Sequence, residues 1–185
     1  PLKAESTAEN NDIKLAKGIY TEPEITISKA VTLTGGFDPA NPATAWNTST
    51  YTLTPSILDG ENARRLLYIN ADDVVLQYLT VRNGNADSGG ASLPARQGGG
   101  ILVNGADDVV LRGLTIMNNV ASATNPDSIG GGIAMIGTSD VDILQTLIFS
   151  NTSAGLGGGV GINPATGQLA IFDARSRVIA RNAAL

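Results

Sequence analysis

Apolar and polar residues alternate along much of the chain. Ile101/Val103, Val109/Leu111 and Leu114/Ile116 are followed by Ile133/Met135, Val141/Ile143 and Ile148. A period of two, carried largely by β-branched residues, predicts strands and not helices. Each run lasts only about three to five residues before Gly, Asn or Asp interrupts it. The earlier chain follows the same grammar less strictly, with Ile13/Leu15, Ile25/Ile27, Val31/Leu33 and Leu67/Ile69. One stretch departs from it: "LKAESTAEN" near the start is expected to form a short helical cap.

The strands recur in a larger repeat. "GGGI" at 98–101 returns as "GGGI" at 130–133 and "GGGV" at 157–160, so the tracts are 32 and then 27 residues apart. "ADDVVL" at 71–76 returns at 106–111, with "SDVDIL" at 139–144 as a relative. Ile-x-x-Asn recurs at Ile116–Asn119, Ile148–Asn151 and Ile179–Asn182. Marks that persist while the spacing varies mean fixed strands joined by variable loops. Two or three short strands per turn of roughly 30 residues describe a coil that cannot bury its inward face alone and must stack on its neighbours. The expected architecture is therefore all-β: a parallel β-helix, a single-stranded solenoid of about six coils. Residues 1–185 form one domain, with 98–129, 130–156 and 157–185 as the clearest units.

This architecture explains the glycines. Where successive coils turn the same corner, the backbone must reverse sharply and lie flush on the corner above. Gly alone does both without a Cβ clash. A phosphate-cradling loop is the rival reading, but "GGGI" lacks the Lys and helix that such a loop needs. Asn119, Asn151 and Asn182 are expected to stack in one corner as an amide ladder.

Composition narrows the chemistry. The net charge of −5, without a long basic run, argues against nucleic acid and against an anionic membrane as partners. No apolar run approaches membrane-span length, so no membrane insertion is expected. There is no Cys and no His, which removes disulfides, thiolate chemistry, the commonest general base and the usual Zn²⁺ ligand.

The Gly-Gly-Gly-[Ile/Val] … Ile-x-x-Asn rhythm resembles right-handed parallel β-helix repeat proteins of bacterial surfaces. It is similar to the GGA[ILV] and FxxN repeats of the chlamydial polymorphic outer membrane proteins, with Gly as the third small residue and Ile, as at Ile148, in the aromatic place. "IKLAKGIYTEPEITISKAVTLTGGFDP" resembles the first coils of pectate-lyase-like extracellular proteins. "GGF…W…SILDG", Gly35 to Gly60, is similar to a mark of large bacterial surface β-helix proteins. The resemblance implies a secreted or cell-surface location and a segment of a longer protein. It leaves function open, because one coil carries adhesins, lyases and hydrolases alike.

Two functions are weighed. The first is a non-catalytic module for adhesion or for glycan or surface binding, with carbohydrate or a surface protein as partner. The second is a polysaccharide lyase-like enzyme acting on acidic polysaccharide with Ca²⁺. No cofactor is otherwise expected. For a metal, Asp73, Asp108 and Asp140 hold equivalent places in the repeat, and stacked carboxylates suit Ca²⁺. The structural alternative is that they are turn residues. For a base, Arg82, Arg96 and Arg112 are available, though an Arg base needs an unusual environment. For a ligand, three loops interrupt the coils: Phe37–Pro55, Gly84–Gln97 and Ala121–Ile129. Inserted at one corner, they are expected to stack into a wall. Trp46 and Tyr51 on the first could stack on a sugar ring, and Arg96 flanks the second; a lone Trp more often seals a core. The rhythm calls for another Gly tract after "RNAAL", so further coils, a partner or end-to-end self-association is expected to cover that end.

Overall fold

The computed structural model describes residues 4–7, 11–43, 46–53, 55–88, 95–137, 140–163, 171–175, 178–180 and 182–184. Strand β1 (Ala4–Thr7) is followed by strands that recur in threes. The first set is β2 (Asp12–Ala16), β3 (Gly18–Tyr20) and β4 (Ile25–Ile27); the second is β5 (Val31–Phe37), β6 (Ser56–Asp59) and β7 (Leu67–Ile69). Next come β8 (Val74–Gln77), β9 (Leu79–Arg82) and β10 (Ile101–Asn104), then β11 (Val109–Arg112), β12 (Thr115–Met117) and β13 (Ile133–Ile136). The last strands are β14 (Asp140–Leu144), β15 (Leu147–Phe149), β16 (Thr152–Ser153), β17 (Val160–Asn163), β18 (Ile171–Arg175), β19 (Val178–Ala180) and β20 (Ala183–Ala184).

From β2 to β15 every third strand returns to the same sheet; β16 then intervenes and pairs with β20 in a separate two-stranded sheet. Sheet A runs β1-β2-β5-β8-β11-β14-β18, sheet B runs β3-β6-β9-β12-β15-β19, and sheet C runs β4-β7-β10-β13-β17. All pairings within them are parallel except β1 with β2. The result is a parallel β-strand solenoid of three sheets, and each pass around it is called a rung below. Sheet A meets sheet B at the A–B corner, B meets C at the B–C corner, and C returns to A at the C–A corner.

The register follows the repeat. Ile101 pairs with Ile133, Leu111 with Ile143 and Ile116 with Ile148, and all six are fully buried. Inward columns from the three sheets merge into one core along the axis. The column Ser56–Leu79–Leu114–Thr146 is buried throughout. Its hydroxyls are satisfied by backbone: Ser56 Oγ donates to Ala16 O at 2.7 Å, and Thr146 Oγ1 accepts from Leu114 N–H at 3.3 Å.

A second, smaller core lies on the outer face of sheet C. Tyr68, Leu102, Ala134 and Gly161 stack there in one column. Ile129, from the B–C connection, folds back over Leu102 and Ala134. The column shrinks as the cover closes: a Cβ on Gly161 would lie 2.7 Å from Ile129 Cγ2.

The helical cap expected near the start is corrected. Ala4–Thr7 form a strand antiparallel to β2, with Ala4 opposite Leu15. An unpaired β2 would present a bare sheet edge, and a strand covers its N–H and C=O groups where a helix would not. The rest of that stretch lies outside the described residues.

Candidate functional site

The B–C corner is built twice over. In the later rungs each Ile-x-x-Asn delivers an Asn to the interior of the turn. Asn119 Oδ1 accepts from Gly84 N–H at 2.8 Å, and Asn119 Nδ2 donates to Asn151 Oδ1 at 2.9 Å and to Val81 O at 3.1 Å. Asn151 repeats the pattern with Asn182, 3.1 Å away. The amides form the expected ladder. Beside it the tracts turn: Gly98, Gly130 and Gly157 share φ near +61°. A Cβ on Gly99 would lie 2.5 Å from Gly131 O, and one on Gly132 would lie 2.7 Å from Gly159 O. The first Gly of each tract combines positive φ with close approach to backbone of its own rung, and in the first two tracts the following glycines lie close to the backbone of the next rung.

The earlier rungs solve this corner with charge. Arg65 is fully buried and pairs with Glu24 at 3.0 Å, over the ring of Tyr68. Burial lowers the Arg65 pKa against the opposing pull of Glu24. Asp59 accepts from Glu61 N–H at 3.0 Å, from Asn83 Nδ2 at 3.0 Å and from Arg82 Nε at 2.8 Å. Burial would raise the Asp59 pKa, but these donors together outweigh it and hold it below the usual carboxylate range. Sequence reasoning missed the Glu24–Arg65 pair. The only signal was two adjacent Arg in front of an apolar run.

The three loops do not share a corner. Gly84–Gln97 and Ala121–Ile129 both leave sheet B and enter sheet C, and they stack: Asn85 bridges to Val120, and Gln97 to Ile129. Phe37–Pro55 instead joins β5 to β6 at the A–B corner. The single wall is therefore corrected, because the strands flanking an insertion decide its corner. Residues 44–45, 54 and 89–94 of these loops lie outside the described residues.

The separation divides the binding candidates. Arg96, at the B–C corner, pairs with Asp87 at 2.8 Å, and Ser122 Oγ donates to Asp87 at 2.7 Å. The Ser122 hydrogen bond, with Arg96, holds the Asp87 carboxyl below its ordinary range against the opposing effect of burial. Trp46 packs against Phe37, ring centroids 5.9 Å apart, and its carbonyl accepts from Lys14 Nζ at 2.9 Å. Tyr51 stacks on Tyr78, with centroids 4.3 Å apart and planes 12° from parallel. The aromatic partner of Tyr51 is thus Tyr78, a residue that sequence reasoning passed over.

The Asp column occupies the C–A corner. Asp73 and Asp108 are exposed, with φ of 57° and 55°, and exposed Asp140 opens β14. Left-handed Asp is a turn residue. Among the described residues no three His, Asp or Glu side chains converge closely enough to hold a metal ion. Of the Arg candidates, Arg82 is engaged by Asp59 and Arg112 stands exposed at the end of β11.

A groove of about 280 Å³ opens at the A–B corner, lined by Tyr51, Thr52, Pro55, Tyr78, Leu79, Thr80, Gly113 and Thr115. A larger apolar recess of about 410 Å³ lies at the first rung, between Ile13, Ile25 and Val31. Comparison with known protein families, curated proteins and solved structures finds no match to this chain.

Proposed function

We propose that this chain is a right-handed parallel β-helix of about six coils that serves as a non-catalytic binding module on a cell surface or outside the cell, for a glycan or a surface protein. The observation that carries the reading is how the ionisable candidates are spent. Arg82 and Arg96 are engaged by Asp59 and Asp87 at the B–C corner. Exposed Arg112 ends β11 at the A–B corner, away from Asp108 at the other end of that strand, so none of the three Arg shares a corner with the Asp column. Acid–base chemistry needs such groups within reach of one reacting atom. The two B–C loops, by contrast, are tied to each other near their ends, Asn85 to Val120 and Gln97 to Ile129, which suits a binding edge. Relatedness to surface β-helix repeat proteins belongs to the same reading.

The test separates binding from lysis. The protein is incubated with acidic polysaccharides, with and without Ca²⁺, and absorbance of unsaturated product is followed. No product, together with retention on immobilised glycan or on a cell envelope preparation, is the expected result. Ca²⁺-dependent product release would replace the reading with a lyase.

A further inference from the structure

We propose that the A–B groove is a saccharide-binding subsite for a neutral glycan, with the Tyr51–Tyr78 stack as its platform. The proposal rests on the binding-module reading and names its site and ligand class.

The platform is assembled at some cost to local preference. The A–B corner uses a left-handed residue in successive rungs: Tyr78 at φ 60°, Gly113 at 59° and Gln145 at 51°. Gly suits that conformation; a bulky aromatic does not, and its presence there is an outlier that points to a use. The Tyr78 ring lies over Gly113, where a Cβ would come within 2.7 Å of it. On the other side, Gly36 admits the Tyr51 backbone, with a Cβ there 2.6 Å from Tyr51 Cα. Two glycines thus clear the space that two tyrosines fill.

The loop carrying Tyr51 is tied down. Thr50 N–H donates to Gly36 O at 2.8 Å, and Ser49 Oγ donates to Gly35 O at 2.6 Å. Tyr51 nevertheless remains 39% exposed. A rigid aromatic platform with an open ring is the form that binds with little ordering cost.

The lining selects the ligand. Thr52, Thr80 and Thr115 line the groove beside the rings, with Pro55 and Leu79. None of the eight lining residues carries a charge at neutral pH. Sugar C–H groups, weakly positive, meet the negative face of a tyrosine ring, and the threonines can pair sugar hydroxyls. A uronate would find no cation among these residues to offset its desolvation. The groove, below the ~300–1,000 Å³ typical of enclosing small-molecule pockets, suits a ring at a time along an exterior chain.

The experiment is native affinity electrophoresis of the whole chain through gels containing hydroxyethylcellulose, xyloglucan, galactomannan or polygalacturonate. Retardation by at least one neutral polymer and not by polygalacturonate is expected. Tyr51→Ala should weaken that retardation about tenfold or more, and Tyr51→Phe should keep most of it. Circular dichroism and melting temperature confirm that each variant is folded. Retardation that survives Tyr51→Ala but is lost with Arg96→Ala overturns this subsite while leaving the glycan-binding reading standing. Retardation only by polygalacturonate overturns the neutral assignment. No retardation by any polymer overturns the subsite; binding to an envelope protein in the preceding assay would still support the wider reading.

Discussion

The B–C corner in its early rungs and the same corner in its later rungs face one problem and answer it differently. Each must turn the chain sharply while leaving no buried polar group unpaired. Early, the interior of the turn holds the Glu24–Arg65 ion pair and the Asp59 cluster. Later, it holds neutral amides of Asn119 and Asn151, flanked by glycine tracts. The charged solution links successive rungs by different residue pairs, Glu24 with Arg65 and Asp59 with Arg82, so it does not repeat. The amide solution repeats, because every Asn both donates to and accepts from a neighbour. A repeating corner needs a self-complementary group; a singular corner does not.

The largest expected effect tests the charged corner. Glu24→Ala strands a buried guanidinium and should cost about 3–5 kcal/mol in denaturant unfolding, whereas Glu24→Leu with Arg65→Met should recover most of the loss. Equal losses in the single and double variants would show that packing, not charge, holds the early corner. The common core sets the scale for both regions. Leu111→Ala should cost about 2–5 kcal/mol, and a loss under about 0.5 kcal/mol would mean that Leu111 does not face the core.

The glycine tracts come next. Gly130 and Gly105 have nearly the same φ, 61° and 65°, but a Cβ on Gly130 would collide with Ile133 O, while at Gly105 nothing lies within 4 Å. Gly105→Ala should therefore cost about 1–2 kcal/mol from left-handed strain alone. Gly130→Ala should add about 1–3 kcal/mol for the overlap. Identical costs would remove close approach from the explanation of the tracts. Asn119→Ala leaves Gly84 N–H and Val81 C=O without these amide partners and should cost about 1–3 kcal/mol in thermal or chemical unfolding.

The smallest effect is acid sensitivity, and it belongs to the early corner. The folded Asp59 pKa lies below its ordinary value, so its contribution is fully present above about pH 4 and is lost as pH falls through the folded pKa. Asp59→Asn should flatten the acid limb of melting temperature against pH by an amount corresponding to less than about 1 kcal/mol, since the Arg82 side of the pair is partly exposed. Asn119→Ala should leave the shape of that limb unchanged. A steeper limb in Asp59→Asn would reverse the assignment.

Alternation and repeat marks made the core legible: Leu111 over Ile143 and Ile116 over Ile148 follow from aligning "ADDVVL" and Ile-x-x-Asn. The Asn ladder and glycine corners were legible for the same reason, since repetition places like residues on like positions. The antiparallel β1 was not, because "AEST" carries no period and its partner is fixed by an edge that exists only after folding. The candidate site was half legible. Tyr51 stood out as an aromatic in a polar loop, but its partner Tyr78 sits beside a strand and reads as part of one. The corner receiving each loop depends on which sheets its flanking strands join, which residue types alone do not state.

The outer column of sheet C gives the solenoid an inherent direction. Tyr68, Leu102, Ala134 and Gly161 descend in size as the covering chain draws in. The rungs look alike from inside, where Ile meets Ile, and differ from outside. Copying the strand that contains Leu102 into the place of Ala134 would keep the inward Ile, since Ile101 pairs with Ile133, yet force a larger side chain under Ile129. Each unit is thereby matched to its own address, and lengthening the solenoid by simple duplication would require the outer cover to be refitted with every added turn.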